Sequence, residues 1–260
     1  NGAGNDFVVV DNRDLRFSLT RDQIARVCDR HRGVGADGFL AVEPPERGGD
    51  FRFRYYNSDG GEAEMCGNGS RCFALFARAF KPGATRLTLE TIAGPVHAEF
   101  DGNLVRINLG DPAALELNRK IHLPDAEYQV HNCNMGVPHA VIFVENTDDT
   151  PVREHGRLIR FHRDFAPQGT NVNFVQVLGP DSIRVRTYER GVEDETLACG
   201  TGVTASSIVA HLVRDVRTPV KVRVQGGDTL EVNFDVHNRT VTNVFLKGPA
   251  EVTFTGEIEV

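Results

Sequence analysis

The sequence predicts an α+β chain made of two similar domains. Three observations carry that expectation. Most of the chain reads as short strands, helical patterns are few, and the order of segments in the first half recurs in the second.

The strands come first. FVVVD, FLAVE, FRFRYY, RLTLET and VRIN lie in the first half; AVIFV, NFVQV, IRVRTY, VKVRV, LEVNF and VFLKG lie in the second, and VTFTG stands near the end. Several alternate apolar and charged residues, as half-buried antiparallel strands do. Glycine turns such as SDGG, FDGN and QGGD separate them. Of the helical patterns, LTRDQIARVCDR starts at Thr20 as an N-cap, and PVREHGRLIR is a second, weaker pattern. The remaining two follow a repeated Cys-Gly-x-Gly, at Cys66 and at Cys199.

Laid side by side, the halves share five segments in one order. FRFRYYN (51–57) precedes Cys66 at nearly the interval by which IRVRTYE (183–189) precedes Cys199. TRLTLETIAGPVHAEFDGN (85–103) then matches VKVRVQGGDTLEVNFDVHN (220–238) as strand, glycine turn and strand. NDFVVVDN pairs with PHAVIFVEN, and GADGFLAVEPP with GTNVNFVQVLGP. The expected domains are 1–111 with 250–260, and 112–249, with VTFTGEIEV returning to the first as a final strand. Duplication would set the two cysteines opposite one another across a cleft.

Composition narrows the function. Acidic residues outnumber basic ones 36 to 29, for a net charge of −7; nucleic acid and anionic membrane both call for a basic face, so neither is an expected partner. No apolar run approaches the roughly 20 residues that cross a bilayer. Five cysteines in a chain of 260 residues do not make a disulfide scaffold, so a reducing compartment, the cytoplasm, is expected. No zinc spacing is present, and no metal is expected. Cys28, Cys72 and Cys133 fall inside apolar or helical patterns and read as packing residues.

Cys66 and Cys199 differ because each opens a helix. The first backbone N–H groups of a helix lack intrahelical acceptors, and the glycines let a ligand approach them. A thiolate is favoured there by the helix dipole, and so is a carboxylate. Neither motif ends in Gly-Lys-Ser/Thr, which argues against a phosphate loop; a redox pair remains open. Two such helix starts suit inversion at a carbon bearing a carboxylate. One cysteine as thiolate removes the Cα proton, the other as thiol returns one to the opposite face, and the N–H groups stabilise the enediolate. That scheme needs no cofactor.

GAGNDFVVVDN, NSDGGEAEMCGNGSRC and YERGVEDETLACGTG together closely resemble the diaminopimelate epimerase family, in the expected order and over nearly the whole chain. The resemblance implies interconversion of LL- and meso-diaminopimelate without pyridoxal phosphate, in lysine and cell-wall precursor synthesis. It implies two domains, each a β-barrel-like sheet around a central helix, with the site in the interdomain cleft, and a homodimer. By motif, Cys66 and Cys199 become the acid–base pair. Gly67, Asn68, Gly200 and Thr201 supply the helix-start contacts to the reacting carboxylate; Asn5, Asn57 and Asn171 match substrate-binding positions. Glu189 and Arg190 match residues that hold the distal amino-acid centre, as their charges suit. His139 and Glu189 match groups that adjust the proton affinity of the cysteines. The family's first strand usually precedes GAGND, which implies a few native residues before Asn1. Val137 stands where the family often has Asn, and Gly38 where some relatives carry Gln, so contacts to the distal centre are expected to differ. A proline or hydroxyproline racemase of the same architecture is the alternative; those relatives tend to have His where this chain has Asn68.

Overall fold

The computed structural model describes residues 1–259. They form two compact units: Asn1–Asn108 with the segment that starts at Lys247, and Leu109–Leu246.

In the first unit the strands are β1 (Phe7–Asp11), β2 (Gly38–Glu43), β3 (Phe51–Asn57), a short β4 (Glu62–Ala63), β5 (Arg86–Thr91), β6 (Gly94–Asp101) and β7 (Leu104–Asn108). Helix α1 (Arg21–Cys28) joins β1 to β2, and α2 (Gly67–Arg78) joins β4 to β5. β1 pairs parallel with β2, β2 antiparallel with β3, β3 parallel with β5, β5 antiparallel with β6 and β6 antiparallel with β7. Each parallel step requires a crossover, and each crossover contains a helix.

Those helices take opposite faces of the sheet. α1 packs Ile24, Val27 and Cys28 on Phe39 and Ala41. α2 touches β1, β2, β3, β5, β6 and β7, so the sheet curls around it. β2, covered on both faces, is buried along its whole length, which explains its unbroken apolar run GFLAV. Thr20 caps α1 in a full capping box with Gln23, as its sequence position predicts. α2 is apolar around most of its surface because it is enclosed; Phe73, wholly buried, meets Phe53 edge-on at 5.0 Å between centroids.

The second unit opens with two strands, β8 (Ala114–His122) and β9 (Glu127–Asn134), and then repeats the plan: β10 (Pro138–Phe143), α3 (Val152–Arg160), β11 (Asn171–Gly179), β12 (Ser182–Glu189), a short β13 (Asp194–Thr196), α4 (Gly200–Arg214), β14 (Val220–Arg223), β15 (Thr229–His237) and β16 (Thr240–Pro249), whose last three residues belong to the first unit. Its pairing senses run in the same succession: β10 parallel to β11, β11 antiparallel to β12, β12 parallel to β14 and β14 antiparallel to β15. α3 covers the outer face through Val152 and Ile159. α4 touches β9, β10, β11, β12, β14 and β15 from within. The α+β class, the duplication and the helix-filled sheets therefore stand.

Two expectations are corrected. β8 and β9 were not foreseen as strands. Their outward faces carry charge, and a register shift between Glu116 and Arg119, with Asn118 at a left-handed φ of 67°, breaks the alternation. VTFTG, expected as a strand, is not one. Glu251 exchanges two backbone hydrogen bonds with Asn1, but beyond it Val252 and Phe254 are 59% and 68% exposed. Alternation marks a segment able to pair, whereas a strand exists only beside a neighbour. The last residue of VTFTGEIEV lies outside the described residues.

Candidate active site

In the first unit, Cys66 has extended backbone angles (φ −140°, ψ 124°) and is the N-cap of α2. Its half-buried Sγ accepts from the Gly69 N–H at 3.4 Å, the role usually taken by a Ser or Asp oxygen. Gly67 and Asn68 occupy the first two helical positions. Asn5, at the end of the GAGN turn, holds its Oδ1 3.9 Å from Cys66 Sγ and 3.3 Å from Asn68 Nδ2, which donates to it. The Asn5 amide cannot be reversed, because Nδ2 donates to Asp37 Oδ2 at 2.7 Å. Cys66 therefore faces an acceptor. Asp37 in turn takes a hydrogen bond from Arg30, which forks onto Asp6. Burial works against the charged Asp6, but its bonds to Arg30 and Asp37 outweigh this and hold its carboxyl below the ordinary value. Asn68 is braced from below by Arg71, whose wholly buried guanidinium donates to Asn68 Oδ1 at 2.9 Å.

Asn57 closes β3, exposed, and accepts from the Tyr55 hydroxyl at 2.7 Å. Gly38 has no room for a side chain: a Cβ would stand 2.8 Å from the Tyr55 ring and 2.8 Å from the Tyr56 carbonyl. A Gln at this position would have to displace Tyr55 and shift backbone.

In the second unit, Cys199 is the N-cap residue of α4 in the same extended conformation (φ −113°, ψ 109°), though its side chain makes no capping hydrogen bond; Gly200 and Thr201 are the first helical residues. Its surroundings differ. Sγ lies 3.6 Å from Thr201 Oγ1, and Thr201 Oγ1 lies 3.0 Å from His139 Nε2. His139, on β10, is buried; desolvation foremost, and then the charge of Arg190, push its pKa down to about 3, so the imidazole is neutral near pH 7. Asn171 ties the start of β10 and the turn after β12 to β11, its Nδ2 donating to the Pro138 carbonyl at 3.2 Å and its Oδ1 accepting the Arg190 N–H at 2.8 Å. Glu189 accepts the Thr196 hydroxyl at 2.9 Å, and Arg190 donates to the Gln168 carbonyl at 3.3 Å. Val137, in the turn before β10, takes a backbone hydrogen bond from Met135 through its carbonyl.

Cys66, Asn5, Gly67 and Asn68 thus come together in one unit, with Asn57 at the end of β3. Cys199, Gly200, Thr201 and His139 come together in the other, with Asn171 bonded to the Arg190 N–H and Glu189 bonded to Thr196 around the β12–β13 turn. Asp37, Arg71 and Asn173 were missed; the signal for the last two was a polar side chain amid an otherwise buried run. Cys28, Cys72 and Cys133 are buried as expected, and all five cysteines are free thiols. Burial, reinforced by Asp37 and Asp6, raises Cys28 to about 11, burial raises Cys133 to about 12, and it raises Cys72 as well.

Comparison with known proteins extends over both units. The sequence profile of the family described as diaminopimelate epimerase matches residues 1–115 and 131–253. The diaminopimelate epimerase of Aquifex aeolicus is 42% identical over 269 aligned positions, covering 99% of this chain and 95% of its own. That of Chlorobaculum tepidum is 39% identical over 261, covering 99% and 98%. Among solved structures, a PhzF-family phenazine biosynthesis protein of Bacillus anthracis matches with a TM-score of 0.70 at 17% identity, covering 95% of this chain and 91% of its own. A hydroxyproline epimerase from Agrobacterium vitis matches at 0.68 and 19%, covering 88% and 77%. Likeness at that identity is one of fold. Identity near 40% from end to end, with a profile that takes in both Cys-Gly-x-Gly motifs, is more specific: the chain belongs to the diaminopimelate epimerase family.

Proposed function

We propose that this chain is an isomerase interconverting LL- and meso-2,6-diaminopimelate, with Cys66 and Cys199 as its two acid–base groups. The observation that carries the reading is a cysteine at the N-cap position of a Gly-x-Gly helix start, present once in each of two units of the same topology. The two units are taken as the two epimerase domains.

In this scheme Cys66 serves one face of the substrate Cα and Cys199 the other. Whichever sulfur is thiolate takes the Cα proton and becomes a thiol; the opposite thiol gives its proton to Cα and becomes thiolate. The substrate changes configuration, and the two sulfurs exchange protonation states. Between the steps the carboxylate carries enediolate charge, for which the N–H groups of Gly67, Asn68, Gly200 and Thr201 are the donors. Asn5, Asn57 and Asn171 are assigned to the substrate's polar groups, Glu189 to its distal ammonium and Arg190 to its distal carboxylate. His139 and Glu189 set the proton affinity around Cys199. No cofactor or metal enters the scheme. Among the described residues no helix is long and apolar enough to cross a membrane. We place the reaction in the cytoplasm, with support from five free thiols, and assign a homodimer as the working assembly.

The test is incubation of the reduced protein with LL-diaminopimelate in D2O. Deuterium at one Cα of a meso product is expected, and Cys66→Ser or Cys199→Ser is expected to lower its formation by about two orders of magnitude or more, with unchanged circular dichroism. Full activity in either variant defeats the two-cysteine scheme. Exchange into proline but not diaminopimelate overturns the substrate and favours the racemase alternative.

A further inference from the structure

We propose that Asn173 is a positioning residue for this chemistry: it locks His139 in one tautomer, so that Thr201 presents its hydroxyl proton to Cys199 Sγ. The purpose of this arrangement rests on the epimerase reading; the arrangement itself rests on geometry.

Asn173 sits in β11, wholly buried. Its amide has one possible direction. Nδ2 lies 3.1 Å from the Ala140 carbonyl, which only accepts, while Oδ1 receives the Thr187 hydroxyl at 2.9 Å. The second hydrogen of Nδ2 points to His139 Nδ1 at 3.2 Å. That ring nitrogen therefore accepts, and in a neutral imidazole the proton resides on Nε2. Nε2–H donates to Thr201 Oγ1 at 3.0 Å. Thr201 Oγ1 lies 3.6 Å from Cys199 Sγ, a contact in which either atom can donate; with one lone pair taken by His139, the proposed arrangement has the threonine hydroxyl as the donor. A sulfur facing a donor is favoured as thiolate. The burial that keeps His139 neutral prevents the ring from becoming a two-donor cation, so the direction of the chain holds across neutral pH.

The motif itself accommodates this arrangement. A Cβ on Gly202 would overlap Asn173 Oδ1. The second glycine of Cys-Gly-Thr-Gly is there to admit the asparagine.

The experiment reads the ultraviolet thiolate absorbance of Cys199 near neutral pH, as the difference between each protein and the same protein carrying Cys199→Ser. No substrate is present, so failure here leaves the epimerase reading intact, and failure of the D2O test leaves this result standing. Wild type is expected to show a thiolate contribution from Cys199. Thr201→Val should lower it about tenfold, the effect of one pKa unit; Thr201→Ser, which keeps the hydroxyl, should restore it; Asn173→Leu should lower it as Thr201→Val does. Should Asn173→Leu fail to fold, the Thr201 pair decides alone. An unchanged signal in Thr201→Val, a loss in Thr201→Ser equal to that in Thr201→Val, or no Cys199 thiolate in wild type overturns the proposal.

Discussion

Gly202 and Asn173 occupy each other's space: the asparagine oxygen lies where a side chain on the glycine would begin. The matching glycine of the first unit, Gly69, has no such neighbour. A Cβ there would stand 3.4 Å from the Phe7 ring and from Cys66 Cβ, which is ordinary contact. Of two glycines at the same place in the same motif, only Gly202 is required by its neighbour.

Alanine separates them. Gly202→Ala forces Asn173 or the helix to move and is expected to cost about 1–3 kcal/mol, the range for overpacking a filled interior. Gly69→Ala is expected to be neutral or stabilising by up to about 1 kcal/mol, since alanine favours the helix. Thermal or urea unfolding of both variants checks this, and equal losses would contradict it.

His139 gives the fold an acid-side slope. Its folded pKa, about 3, lies below the ordinary value of 6.5. Between those values the unfolded chain binds a proton that the native chain refuses, so stability falls as pH drops from about 6.5 toward 3. The urea midpoint of wild type should decline between pH 7 and pH 5 more steeply than that of His139→Gln. Parallel declines would show that the imidazole takes up its proton in the folded state.

The three remaining thiols should be silent. Cys28 and Cys133 are raised to about 11 and 12, and Cys72 is raised and buried. Near neutral pH each is a protonated thiol with at most 5% of its residue surface exposed. Iodoacetamide followed by peptide mapping should leave all three unmodified in native protein and modify all three in denaturant.

Much of this was legible beforehand, for identifiable reasons. Duplication could be read because strand, glycine turn and N-cap cysteine are local patterns, and each survived in both halves. β8 and β9 escaped because Asn118 interrupts the alternation at a bulge, and register is a property of two strands. The strand expected at VTFTG failed on the same ground from the opposite side: pattern without a partner. Cys66 and Cys199 stood out in the chain, as did the asparagines near them. Asn173 did not, since NFVQV reads as an ordinary strand until its amide is seen facing an imidazole. Asp37, which fixes Asn5, is likewise a matter of orientation that spacing does not encode.

The repeated topology has a further consequence for how such a protein can change. In an assembly of two identical chains, every substitution near one sulfur would be copied beside the other, and both would remain alike. Joining two units into one polypeptide ends that obligation. Cys66 has come to face an amide oxygen and Cys199 a hydroxyl backed by an imidazole. Within one polypeptide the two halves are free to differ, and each sulfur meets its own set of neighbours.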